Sequence, residues 1–155
     1  MRRIALLPLL LLLLLAACST LDCPMNNQVA LKCKLSGPQA LTDTLTLSTN
    51  RHDGNDTVLI NRLTGVDSLL LPMSYAAAED TFFVQLTSTG GSTSLDTLTV
   101  SKTNEQHFES VDCNASVFHY IESVSTTHHI IDSVKINNRK VNYDTSRSHL
   151  IIFFK

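Results

Sequence analysis

The chain of 155 residues has no tryptophan, three tyrosines and six phenylalanines. That leaves little material for an aromatic platform that stacks sugar rings, or for the aromatic girdle of a membrane barrel. Charge is also sparse: 12 basic residues stand against 14 acidic ones, a formal charge of −2. No basic run is present to neutralise successive phosphates, which argues against nucleic acid as a partner. Only four of the acids are glutamates. Of these, Glu105, Glu109 and Glu122 have no adjacent acid that would suggest a paired-carboxylate hydrolase. There is no Gly-x-Ser-x-Gly elbow, no phosphate loop and no dinucleotide fingerprint; Gly90-Gly91-Ser92 reads as a flexible connection. These absences argue against an enzyme and against a cofactor.

Metal chemistry is poorly supplied as well. The six histidines include one adjacent pair, His128-His129, but no His-x₃-His or Cys-x₂-Cys pair of the kind zinc sites use. Neighbours on a strand point to opposite faces, so the pair reads as a polar hairpin loop. Arg51-His52-Asp53-Gly54-Asn55-Asp56 resembles part of a calcium loop but lacks its bidentate glutamate. Asp-Gly between strands is the ordinary sign of a hairpin turn. The expectation is no metal site.

What is present begins at the N-terminus. Arg2 and Arg3 precede an apolar run from Ile4 to Leu15, closed by Ala16-Ala17-Cys18. A charged start, a short apolar core and small residues before a cysteine describe a lipoprotein signal peptide, residues 1–17. The alanines fit a narrow peptidase pocket, and the Cys18 thiol takes the diacylglyceryl group. The expected mature chain starts at Cys18, outside the cytoplasm, held to the outer membrane by acyl chains. It carries ten basic residues and 14 acids, a formal charge of −4. No cluster of acids follows the cysteine in Ser19-Thr20-Leu21-Asp22, which favours the periplasmic face over the cell surface.

After a tether at 18–27, residues 28–155 read as one domain of many short strands. Ser and Thr make up 33 of the 155 residues, a composition suited to strands. Strands are expected at Gln28–Leu35, Thr44–Thr49, Thr57–Asn61, Ser68–Leu71, Thr81–Thr87, Thr97–Lys102, Ser116–Val124, Ile130–Ile136 and His149–Phe154, with turn residues between them. Phe82, Val84 and Leu86 share one face; Leu98 and Val100 point inward while Thr97, Thr99 and Ser101 point outward. Leu150-Ile151-Ile152-Phe153-Phe154 is apolar on both faces, which predicts a covered interior strand. The segment Ser74–Asp80 allows one helical turn. The fold class that follows is all-β: an antiparallel β-sandwich, immunoglobulin-like in character, with a small closed barrel as the alternative.

With Cys18 acylated, three thiols remain. Cys33 alternates with Val29, Leu31 and Leu35 and reads as a small buried hydrophobe. Cys23 and Cys113 lie outside clear alternation, and pairing them is one of three possible arrangements. Closing that loop would contribute about 4–5 kcal/mol in the chain-entropy model.

A local motif also recurs. Asp precedes Ser or Thr and an apolar residue at Asp43, Asp56, Asp67, Asp80, Asp96 and Asp132. The spacing is too irregular for a solenoid. The plain structural meaning is that Asp ends a turn through backbone amides and Thr then opens a strand.

From Asp22 onward the chain resembles a family of uncharacterised lipoproteins of Bacteroidota, a domain of unknown function. The resemblance is carried by Asp22-Cys23-Pro24 with Asn26-Asn27, Asp56 to Arg62, Leu70 to Tyr75, and a long tail from His107 through Val134 that continues to Val141-Asn142-Tyr143. It implies location and a compact β fold but no reaction, and it favours the Cys23–Cys113 pair. It also implies that exported chains of this kind can carry O-glycans at Asp-Ser/Thr followed by an apolar residue, a pattern that fits Thr44, Thr57, Ser68, Thr97 and Ser133, with a glycan expected at one or more of them. The function expected is therefore that of a binding or structural module, anchored through Cys18 and with a protein partner in the envelope. A pilus-type subunit and a small-ligand or glycan binder are the alternatives.

Overall fold

The computed structural model describes residues 29–37, 42–50, 56–111 and 113–155. They form ten strands: β1 Ala30–Ser36, β2 Thr44–Asn50, β3 Asp56–Leu63, β4 Ser68–Pro72, β5 Glu79–Thr87, β6 Thr93–His107, β7 Ser116–Thr126, β8 Ile131–Ile136, β9 Lys140–Val141 and β10 Leu150–Phe154. Four make one sheet in the order β4-β1-β10-β8; the other six make a second in the order β3-β2-β5-β6-β7-β9. All neighbours are antiparallel except β1 and β10.

Period-two alternation accounts for the packing. Leu31, Cys33 and Leu35 from β1, with Leu150, Ile152 and Phe154 from β10, are buried on one inner face. Leu45, Leu47, Phe82, Val84, Leu86, Leu98, Val100 and Ile121 are buried on the other, and together they form a single core. Two sheets that each bury one face against the other make a sandwich. The closing apolar run is an interior strand, flanked by β1 and β8. Gly37 lies so close to β10 that a Cβ there would meet the Phe154 carbonyl oxygen at 2.7 Å, and its φ is +123°.

Three elements differ from the sequence reading. β6 spans 15 residues, because its polar half, Thr103 to His107, pairs with β7 beyond the reach of β5, whose register ends at Glu79↔Ser101. β9 has two residues, too few to show a period. The Ser74–Asp80 segment is a bend and not a helical turn. There Ser74 Oγ accepts the Ala76 and Ala77 N–H groups at 3.4 and 3.1 Å, so the side chain takes the place of a helical carbonyl.

Both edges of the larger sheet are irregular. β3 has two register shifts against β2, and Arg62 has φ +54°. At the other edge, Arg139 donates from Nη1 to the Ile121 and Glu122 carbonyls at 2.6 and 2.7 Å. Occupying edge carbonyls in this way blunts strand-to-strand pairing with another chain.

Candidate functional site

One end of the sandwich is closed by the β4–β5 connection over a buried polar cluster. Lys102 continues the inward parity of Leu98 and Val100, and its ammonium group is fully buried. Nζ donates to the Ser74 and Ala77 carbonyls, each at 2.6 Å, and to Asn104 Oδ1 at 3.0 Å. Asp80 Oδ2 is 3.4 Å away. Asp80 in turn accepts the Ser74 N–H at 3.0 Å through Oδ1. A buried charge is tolerable only with such partners.

Asn104 extends the cluster to a histidine. Its Nδ2 donates to the Tyr75 and Ala77 carbonyls at 3.2 and 2.9 Å, which leaves Oδ1 to face His119 Nδ1 at 2.7 Å. Nδ1 therefore carries the proton and Nε2 the lone pair. Nε2 is buried without a hydrogen-bond partner. Burial, with the Lys102 charge nearby, pushes the His119 pKa down to about 4. Tyr75 lies parallel to the His119 ring with centroids 6.5 Å apart. The cluster locks the 74–78 bend and keeps a neutral imidazole in the core.

Along that bend a groove of about 910 Å³ opens, lined by the ends of β2 and β3 on one side and by residues 72–81 on the other. Leu59, Pro72, Met73 and Ala76 supply apolar wall; Thr49 and Asn50 supply polar groups. A second hollow, about 260 Å³, is formed with Thr103, Glu105, Phe118, Tyr120, Lys140 and Asn142. Phe118 is held by His107, stacked at 4.3 Å, and by Tyr143, edge-on at 4.9 Å. The hollow thus combines aromatic rings, charged groups and a side-chain amide.

Asp96 anchors the crossover from β7 to β8. The carboxylate is buried. Oδ1 accepts from Thr127 Oγ1, His129 N and His129 Nδ1; Oδ2 accepts the Ile130 and Ile131 N–H groups at 2.8 and 2.7 Å. Burial alone would raise its pKa, but the bonds from Thr127 and the three amides outweigh that and hold it well below the usual carboxylate range. His128 and His129 thus lie in a connection between sheets, which corrects the hairpin expected there.

The residues singled out from sequence are dispersed. Thr44 and Ser68 open β2 and β4, Thr57 is in edge strand β3, Thr97 is inside β6, and Ser133 is exposed on edge strand β8. Ser68 and Ser133 each donate to the preceding Asp, at 3.0 and 3.2 Å. Thr97 N donates to Thr127 Oγ1 at 3.0 Å. Cys113 is disulfide-bonded, while Cys33 is buried and free. Cys18, Cys23 and residues 51–55 are outside the described residues. Among the described residues, no group of three or more His, Cys, Asp or Glu side chains is placed to hold a metal ion.

Sequence reasoning missed Asp80, Asp96 and Lys102 as buried polar groups. The signal was there: Asp80 has the parity of Phe82, Val84 and Leu86, and Asp96 and Lys102 that of Leu98 and Val100. Two of the Asp-Ser/Thr motifs therefore place their Asp within a strand, facing the interior, and not at a turn.

A family model matches residues 44–154. The chain belongs to the family of unknown function DUF6452. The DUF6452 span takes in β2 to β10 and Cys113 but leaves out β1 and the Asp22-Cys23-Pro24 motif. No curated protein and no solved structure matches the chain. The DUF6452 assignment brings no activity with it.

Proposed function

We propose that this chain is a lipoprotein of Bacteroidota, anchored in the outer membrane by acyl chains on Cys18, and that it serves as a binding or structural module and not as an enzyme. The observation that carries this reading is Leu15-Ala16-Ala17-Cys18 at the end of the apolar run. The disulfide at Cys113 supports it, because such bonds persist in oxidising compartments. Acyl chains contribute about 0.8 kcal/mol per buried CH₂, so several of them make release negligible. The periplasmic face is favoured by the missing acids after Cys18. Cys23 is the proposed partner of Cys113.

The groove between β3 and the 72–81 segment supports a partner-binding role, since its apolar wall and polar rim fit a protein segment. The hollow around Phe118 and Tyr120 supports a second reading, a small-ligand or glycan binder. We also propose O-glycans at one or more of Thr44, Thr57, Ser68, Thr97 and Ser133, with exposed Ser133 the most reachable and Thr97, inside the sheet, the least.

The decisive experiment is metabolic labelling with an alkyne fatty acid, comparing the native chain with Cys18→Ser. Label on the native chain alone supports the anchor, and equal absence from both would end it. Cross-linking in intact cells then separates the roles: a stoichiometric envelope protein supports an accessory module, and a ladder of copies on unheated gels a pilus-type subunit. Rapid loss to protease added to intact cells would overturn the periplasmic assignment. An intact mass equal to polypeptide plus lipid would remove the glycans.

A further inference from the structure

Strand register brings three separate parts of the chain to the same end of the sandwich. Ala30, where the chain enters β1, pairs with Pro72 at the end of β4. From Pro72 the 73–78 bend leads into β5, held against β6 by Lys102 N–H to the Ala78 carbonyl at 2.8 Å and by Asn104 to Tyr75. β6 continues past that bend to His107 and returns through residues 108–115 as β7. The β5–β6 hairpin at 88–92 marks the opposite end.

Three of the seven exposed large apolar side chains among the described residues, including the three most exposed, lie at the first end. Tyr75 is 68% exposed, Phe108 59% and Val111 98%. Phe108 and Val111 lie in the same turn as the disulfide-bonded Cys113. Resting on the lipoprotein reading above, acylation of Cys18 leaves Cys23 as the only thiol outside the described residues able to join Cys113, since Cys33 is free. Five residue steps then separate the lipid-bearing cysteine from the disulfide. They reach at most about 18 Å, plus about 6 Å across the bridge. The apolar turn is therefore leashed within a short span of the acyl chains.

We infer that this end of the sandwich docks on the bilayer surface, with Phe108 and Val111 entering the interface and Tyr75 lying at headgroup level. An apolar body with a polar tip suits Tyr75 to that depth, and apolar tips beside an acyl anchor supply a second membrane contact. The partner is the lipid surface itself. Docking fixes the orientation of the module, with the β5–β6 hairpin directed away from the membrane.

The absence of tryptophan makes the test clean. Full-length lipidated protein carrying Phe108→Trp, Val111→Trp or Leu95→Trp is purified from membranes and reconstituted in phosphatidylethanolamine and phosphatidylglycerol vesicles with brominated acyl chains. Leu95 is the exposed control near the far end. The expected result is blue-shifted, bromine-quenched emission from both turn variants and unquenched emission from Leu95→Trp. Vesicles that float with the protein while both turn reporters stay unquenched would overturn the docking and leave the anchor standing. Equal quenching of all three would overturn the orientation, and a blue shift without quenching would mean a protein covers the turn. Wild-type protein that fails to float would overturn the anchor reading, and the docking with it.

Discussion

Asp96 Oδ2 accepts the Ile131 amide at 2.7 Å across 35 positions of sequence. That bond ties the middle of the six-stranded sheet to the first residue of β8 in the other sheet. Asp96→Ala would leave buried amides without an acceptor, and a loss of about 3–5 kcal/mol is expected. A denaturant midpoint unchanged from wild type would show that the crossover is held by something else. Because the folded carboxyl is held below its unfolded value, the stability it contributes is present above the unfolded carboxylate pKa, about 3.9. It is lost as pH falls from there through the folded value.

His119 makes a second acid-sensitive contribution. Its folded pKa, about 4, lies below the ordinary imidazole value of 6.5. The unfolded chain therefore binds a proton first as pH falls. Stability is full above 6.5 and declines between there and 4, by roughly 2–3 kcal/mol. Burial lowers the His149 pKa too, although Asp144 and the Lys140 backbone oppose it, so its effect has the same sign. His119→Gln should flatten part of the unfolding-versus-pH curve; a curve as steep as wild type would dismiss His119 as the source.

The Lys102–Asp80 pair should behave as a unit. Lys102→Met removes the cation beside the buried Asp80 carboxylate and the donor to the Ser74 carbonyl, and a loss of about 3–5 kcal/mol is expected. Adding Asp80→Asn should recover part of it, since the uncompensated charge is gone. Strict additivity of the two losses in a double-mutant cycle would argue that they do not interact. Faster amide exchange at residues 74–78 in Lys102→Met would locate the loss in the bend.

Two glycines should respond differently to alanine. At Gly37 the added Cβ meets the Phe154 oxygen and the positive φ is unfavourable, so Gly37→Ala should cost about 2–3 kcal/mol. At Gly90 the nearest atom is Ser88 Oγ at 3.8 Å, an ordinary contact. Equal melting temperatures for the two variants would contradict the close approach of Gly37 to β10.

Thiol counting tests the cysteine assignment. Native lipoprotein unfolded without reductant should react at one thiol, Cys33. In the folded state that thiol should be inert, because burial pushes its pKa up to about 12 and the thiolate is the reactive form. Three reactive thiols after unfolding would exclude the Cys23–Cys113 pair.

The strands were legible wherever one face is buried. Val29, Leu31, Cys33 and Leu35 alternate because alternate side chains enter the core, and the same rule located β5 and the inner part of β6. It was blind to the outer half of β6, where the parity of Leu98 and Val100 continues with the polar side chains of Asn104, half-buried, and Gln106, exposed. It was blind to β9 because two residues carry no period. The buried polar groups escaped for a related reason: an Asp before Thr looks the same whether it ends a turn or faces the core.

Composition and local pattern therefore determined the class of this protein, the strands with an apolar face, the burial of Cys33 and the absence of familiar catalytic motifs. These properties depend on neighbours in sequence, through side-chain alternation and turn chemistry. Only the tertiary structure decided that Lys102, Asp80, Asn104 and His119 form one cluster, that Asp96 ties β6 to the start of β8, and that Tyr75, Phe108 and Val111 share an end. Those relationships depend on strand order and register between residues tens of positions apart in sequence. Strand order is set by how two faces bury together, which no local window of sequence contains.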